Sequence, residues 1–339
     1  MTTFKLQLHS LRQLLVAATL LTASAVAALG LVSANTAAQA DESSVAANAL
    51  RVSPVRNDVT VEPGNSEIVK VVVTNPSDQT VGVRVIQNDF IAGDEDGTPA
   101  IYLEETEFAP SHSLKRFMTP IENLTLGPNE ARAVDVKLAV PADAEPGGYY
   151  GVVRFAPTSA DGGGQVNVTA SVASLILMTV PGDAPEKLEI TDFAVRQDGS
   201  NKAFFTSGDG VALNLRFENT GNIHAGPFGK VSVLKGDTIV HEADFNNKEQ
   251  RDMVLPNSAR RFSVPLGDIS GFGRYTVSAT FTYGSDNQTI EATETFWVIP
   301  GWTIATGIVV LLVIAGGIGY LIYRRGQKTP KASGIGKRR

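Results

Sequence analysis

The chain has 339 residues, of which 19% are charged and 43% hydrophobic, with no cysteine among them. That is enough chain for two cores of ordinary size, and enough apolar residue to fold most of it. Without cysteine there is no thiol nucleophile, no cysteine metal site and no disulfide framework, and this favours a bacterial surface protein over a secreted animal one.

The N-terminus carries Lys5 and Arg12, an apolar run from Leu14 to Val32, and then small residues. Ala38-Gln39-Ala40 fits an A-x-A cleavage site. This predicts a signal peptide over 1–40, with an uncleaved anchor as the alternative, and a linker over 41–49. Residues 41–301 hold all 35 acidic residues against 20 Lys and Arg. A balance of about −15 argues against a nucleic-acid partner.

From Leu50 the hydrophobic period is two. "EIVKVVVTN", "TVGVRV", "AVDVKLAV", "YYGVVRF" and "GQVNVTASVASLILMTV" alternate β-branched and polar residues between Pro/Gly/Asn/Asp turns. A single helical turn is expected near 113–118, and a hairpin tip at 158–165. These elements predict a first β-sandwich over 50–182. The "PGDAPEK" stretch at 181–187 marks a boundary. Beyond it, "LEITDFAV", "VALNLRFEN", "GKVSVLKG", "TIVHEADF", "ARRFSVPL", "RYTVSATFTYG" and "QTIEATETFWVI" predict a second, immunoglobulin-like sandwich over 188–298.

One phrase is written twice. Pro-Asn, one residue, then Ala-Arg occurs at 128–132 and 256–260, each followed by a strand, a turn and a Gly-x-Tyr at 148–150 and 273–275. We read it as a scaffold element used once per sandwich, the tyrosine holding a corner by a backbone hydrogen bond; the rival reading is two equivalent ligand sites. Asn75 and Asn219 also match, each closing a strand into an Asn-led turn.

Residues 302–323 carry no charge, and twenty-two helical residues span roughly 33 Å, enough to cross a bilayer core. The tail, 324–339, adds seven basic residues and no acid, which marks the cytoplasmic side. The layout is therefore that of a single-pass, type I protein of the cell membrane, with its ectodomain outside. Ala315 and Gly319 form a small-xxx-small pair that would let two spans pack as a homodimer.

Chemistry is sparse. His112, His224 and His241 are isolated, and no HExxH, G-x-S-x-G or phosphate-binding loop occurs. Asp94, Glu95 and Asp96 form the one dense carboxylate group. It is a candidate for Ca2+, the competing reading being a solvated acidic turn. Acids near 94–107 would also supply a glycosidase pair if they faced one groove. No other cofactor is indicated. Tyr149 and Tyr150 are neighbours on a strand and so point to opposite faces. With Tyr102 and Arg154 they form the candidate ligand-binding set.

Taken together, the stretch from Val52 to Val85, the acidic "GDEDGTPAIY", the stretch from Leu124 to Phe155 and the closing span with its basic tail resemble the WxL-interacting protein family of Gram-positive cell surfaces. The family's Pro-Gly turn falls on Pro63-Gly64 and its V-x-V-x-N strand end on Val71 to Asn75. Its G-x-x-x-Y step falls on Gly97 to Tyr102, one residue wider. Its L-x-P-x-E-x-x-x-V strand falls on Leu126 to Val134, and its glycine-aromatic step on Gly147 to Phe155. The resemblance covers about 50–182 well and 188–298 less clearly. It implies peptidoglycan binding by the first domain and partner binding by the second. The expectation is an all-β pair of tandem immunoglobulin-like sandwiches on a transmembrane helix. The expected function is that of a non-enzymatic surface protein binding peptidoglycan or another surface protein, the alternatives being a wall-modifying hydrolase or its auxiliary subunit and a plain stalk.

Overall fold

The computed structural model describes residues 50–158, 171–202 and 204–326. The expected signal peptide and linker, the hairpin tip beyond Thr158 and the tail beyond Gly326 lie outside the described residues.

The first domain comprises β1 (Arg51–Ser53), β2 (Arg56–Thr60), β3 (Ser66–Thr74), β4 (Val81–Ala92), β5 (Pro99–Ile101), β6 (Leu124–Leu126), β7 (Ala131–Ala139), β8 (Gly147–Thr158) and β9 (Val172–Val180). The expected helical turn is a 3-10 turn, Lys115–Phe117. One sheet runs β1-β3-β7 and the other β2-β9-β8-β4-β5, with β6 beside the start of β4. Alternation decides the faces: Val69, Val71 and Val73 point inward from β3, and Val134, Val136 and Leu138 from β7. They meet Val153, Phe155, Ile176 and Met178 of the facing sheet.

The second domain comprises β10 (Leu188–Gln197), β11 (Ser200–Asn201), β12 (Phe204–Phe205), β13 (Val211–Asn219), β14 (Phe228–Lys235), β15 (Thr238–Phe245), β16 (Ser258–Pro265), β17 (Gly273–Tyr283) and β18 (Gln288–Val298). Its sheets run β11-β10-β13-β16 and β12-β18-β17-β14-β15. Leu213, Phe217, Val231, Val233, Val277 and Phe281 fill the space between them. Phe217 and Phe245 both pack edge-on against Phe281, with ring centroids 5.2 and 4.9 Å apart.

Both domains follow one plan. The opening strand is split, and its second part runs parallel to the closing strand: β2 beside β9, and β12 beside β18. This is an all-β, immunoglobulin-like arrangement in tandem, followed by one apolar helix.

The repeated phrase is structural, with one change of register. Asn129 and Asn257 both take left-handed backbone, φ 52° and 53°, which Asn tolerates better than most residues and which turns the chain into β7 and β16. The glycines that open β8 and β17 are Gly147 (φ 150°) and Gly273 (φ 154°). The tyrosine two residues on is therefore Tyr149 in the first domain, not Tyr150. Tyr149 donates its hydroxyl to the Glu145 carbonyl at 2.8 Å, and Tyr275 donates to those of Ser270 and Gly271 at 2.5 and 3.1 Å. Tyr150 is thereby released from the corner and faces outward from its sandwich.

The paired asparagines are buried plugs. Asn75 donates to the Gln79 and Gly127 carbonyls at 2.7 and 2.9 Å and accepts from the Ser77 N–H. Asn219 repeats this with the Ile223 and Val254 carbonyls, both at 2.8 Å, and the Gly221 N–H. Each ties the loop that it opens to a distant loop, with its buried polar atoms satisfied.

The closing helix, α1, is Gly301–Gly326, and its apolar side chains are exposed all round. Twenty-six residues span about 39 Å, so α1 is long and apolar enough to cross a membrane.

Candidate functional site

The outer face of the β8 sheet is the starting point. β8 and β9 are apolar on both sides, so their outward residues also need cover. Phe90, Tyr150, Val152 and Leu177 make a second small cluster there, and Met253 and Leu255 of the second domain pack onto it. The two sandwiches are thus joined through a hydrophobic contact as well as the 181–187 link.

Polar contacts fix the joint. The Gly148 N–H donates to the Asn222 carbonyl at 2.8 Å, and Asn222 Nδ2 donates to the Pro146 carbonyl at 2.9 Å. Arg56 Nη1 donates to the Arg251 carbonyl at 2.6 Å, and Gln250 returns a hydrogen bond to the Arg56 carbonyl at 3.1 Å. On the opposite flank the β4–β5 turn presents Glu95. Its Oε1 lies 2.9 Å from Arg216 Nε and its Oε2 lies 2.5 Å from Arg261 Nε, and its carbonyl accepts the Arg261 N–H at 2.6 Å. The hydrogen bond from Arg216, helped by Arg261, holds the Glu95 carboxyl below the usual carboxylate range. Gly97 in the same turn has φ 90°, and a Cβ there would overlap the Arg260 guanidinium.

At the centre of the joint, Tyr150 Oη lies 3.3 Å from His224 Nδ1, and the rings meet edge-on at 5.7 Å. Burial pushes the Tyr150 phenol up and pulls His224 down to about 4, so both are neutral at pH 7. Beside them His112 takes left-handed backbone, φ 59°. Its carbonyl accepts the Tyr150 N–H at 2.9 Å, and its Nδ1 lies 2.6 Å from the Gly148 carbonyl, which places the ring proton on Nδ1. Buried Asp89 accepts from the Ala109 and Lys115 N–H groups and the Ser113 hydroxyl, pinning the loop that carries His112.

A cleft of 380 Å³ opens along this joint. One wall is Tyr102, Pro110, Ser111 and His112, and the other is Arg216 and residues 255–259, with Glu95 and Tyr150 at its base. About half of its lining residues are polar or charged, and a concave site so lined offers a ligand several hydrogen bonds.

The expected site residues divide. Tyr102 lines the cleft, partly exposed. Tyr150 reaches it only from below, being 2% exposed; its outward position is covered by the second domain, so it offers no free ring face. Tyr149 faces the first core, its ring 4.9 Å from Phe117. Arg154 lies along the outer sheet face, where it reaches Asn88 and Ser171 at 3.3 Å.

At the Ca2+ candidate Asp94, Glu95 and Asp96, the exposed Asp94 and Asp96 fit the solvated turn, and only Glu95 is drawn into ion pairs. Glu95 is taken by two guanidiniums and Asp96 accepts the Thr98 N–H at 2.8 Å, so the carboxylates do not converge on one point. No group of three His, Asp or Glu side chains suited to a metal occurs among the described residues. The hydrolase alternative needs two carboxylates across a groove. Glu95 is the one carboxylate lining the cleft, and Glu105 pairs with Arg84 elsewhere.

No protein-family model matches the chain, and no curated protein matches it. Solved structures are similar in shape. The class 5 fimbriae chaperone CfaA is 15% identical, with 74% of this chain and 99% of that chain covered and a TM-score of 0.37. A chain from a chaperone–tip adhesin complex of CFA/I fimbriae biogenesis gives the same coverage and score at 13% identity. The E. coli chaperone DraB is 12% identical, with 74% and 96% covered and a TM-score of 0.33. At this level the likeness is one of shape, and nothing about partners follows from it.

Proposed function

We propose that this chain is a non-enzymatic, membrane-anchored cell-surface protein that takes a segment of peptidoglycan in the cleft between its two sandwiches. The observation that carries the reading is the cleft itself: a pre-formed groove, its walls locked by the Glu95 ion pairs, with the Tyr102 ring at its rim. Peptidoglycan presents apolar sugar faces, hydroxyls and amides. A tyrosine ring covers a sugar face, and Ser111, His112, Asn257 and Ser258 offer hydrogen bonds beside it. The resemblance to the WxL-interacting protein family supports the same ligand. The one carboxylate lining the groove is ion-paired to Arg216 and Arg261, which supports binding over hydrolysis. The acid-free basic tail supports a cytoplasmic C-terminus and an ectodomain facing the wall.

The test is calorimetric titration of residues 50–299 with soluble peptidoglycan fragments, for the natural sequence and Tyr102→Ala. Loss of the ring weakens binding about tenfold, or about 1.4 kcal/mol. Equal affinity would place the ligand elsewhere.

A protein partner is the second reading, favoured by the free edge of β15. Among the described residues this strand ends its sheet, and it exposes Ile239 and Val240. An unpaired edge with apolar residues accepts an added strand. Val240→Pro would abolish such pairing and leave the cleft untouched.

A further inference from the structure

The second domain ends almost on the span. The Ile299 N–H still donates to the Phe205 carbonyl at 2.8 Å, and α1 starts at Gly301. Pro300 alone separates the last sheet hydrogen bond from the helix. Its carbonyl accepts the Thr303 N–H and hydroxyl, at 2.9 and 2.6 Å. No slack tether lies between sandwich and helix.

The outer face of the β12-β18-β17 sheet changes character at this end. Along β18 and β17 its outward residues are Thr289, Glu291, Thr293 and Thr295, and Thr276, Ser278, Thr280 and Thr282. The final outward positions are instead Trp297 on β18, Phe204 beside it on β12 and Arg274 beside it on β17. Phe272 places its ring 6.2 Å from Trp297. Phe204, Phe272 and Trp297 are 52%, 53% and 44% exposed, although the neighbouring Phe205, Tyr275 and Phe296 are core. Exposed Lys235 lies at the same rim, its ammonium 5.2 Å from the Tyr275 ring centroid. Trp297 lies four positions before the start of α1, at most about 14 Å of extended chain.

We propose that Phe204, Phe272 and Trp297, flanked by Arg274 and Lys235, form a foot that seats the second domain on the headgroup region of the bilayer crossed by α1. Aromatic rings favour that interface, and basic side chains favour its anionic phosphates. The foot converts a hinged anchor into a fixed one, so the cleft is presented at a set height and angle. The inference rests on α1 spanning the bilayer.

The chain has two tryptophans, Trp297 and Trp302, which separates the two claims. The full chain is reconstituted in vesicles of phosphatidylcholine and phosphatidylglycerol carrying a nitroxide near the headgroup. Trp297→Phe leaves Trp302 as the reporter of the span, and Trp302→Phe leaves Trp297 as the reporter of the foot. The expected result is blue-shifted emission and loss of intensity by shallow nitroxide for both reporters. For Trp297 the loss is reversed by Phe204→Asp with Phe272→Asp. If Trp302 is quenched while Trp297 emits as in water, the foot is wrong and the span stands. If neither is quenched, both readings fall. If Trp297 is quenched but the aspartate pair leaves its quenching unchanged, these rings do not form the seat.

Discussion

His224 makes the joint between the sandwiches sensitive to acid. The residue is partly exposed, and its ring lies edge-on against Tyr150, near Arg56 and Asp58. Loss of hydration lowers its pKa from 6.5 to about 4; the Arg56 charge adds to this and the Asp58 charge opposes it. When the domains part or unfold, the ring returns to water and to its ordinary value. Between pH 6.5 and about 4 the open state then binds a proton that the docked state does not, so stability falls as pH falls. The complete penalty is about 3 kcal/mol and is in place below the docked value, with about 2 kcal/mol of it present by pH 5. The residue's partial exposure makes both figures ceilings. For residues 50–299 the pH 5 figure lowers Tm by roughly 4–8 °C. His224→Phe keeps an aromatic ring against Tyr150 and removes the proton. Differential scanning calorimetry at pH 8 and pH 5 compares the two proteins, and every other titrating group is common to both. The natural sequence loses more Tm than the variant between these pH values. Equal losses would refute the assignment of His224 as a buried neutral ring at the joint.

Three further outcomes follow from the same contacts. Glu95→Gln leaves Arg216 and Arg261 without their shared carboxylate, and small-angle scattering of residues 50–299 should show a wider range of interdomain angles while both sandwiches keep their circular dichroism. Asn219→Ala strands the Ile223 carbonyl and leaves the Val254 carbonyl and the Gly221 N–H with only their backbone partners, Ala225 and Lys187, and urea unfolding should report a loss of about 1–3 kcal/mol; Asn75→Ala should match it in the first domain. Tyr150→Ala empties the centre of the joint and costs about 3–5 kcal/mol, whereas Tyr275→Phe removes only the corner hydrogen bond and costs about 1 kcal/mol, both read by the same unfolding assay.

The strands were legible because alternation and β-branched residues are local signals. "VALNLRFEN" reads as a half-buried strand without its partners, and β13 occupies Val211–Asn219. The short strands β1, β2, β5, β6, β11 and β12 were not legible, since two to five residues carry no period. The site was harder still. A period of two says which face a side chain takes, but not what covers it, so Tyr150 read as a free contact although Met253, Leu255 and His224 stand over that face. One signal was present and missed. "SLILM" and "YYGVV" run apolar without alternating, which is how a strand covered on both faces reads. Glu95 gave no local sign of its role, because its partners Arg216 and Arg261 lie 121 and 166 residues away.

Peptidoglycan binding, as proposed, requires both sandwiches, because each supplies one wall of the cleft. Co-sedimentation with insoluble peptidoglycan tests it, using residues 50–299 beside 50–182 and 184–299 as separate fragments. The account predicts that the joined pair sediments with the wall and that each fragment, having one side of the cleft, stays largely in solution. Full binding by 50–182 alone would contradict it and return the ligand to the first sandwich.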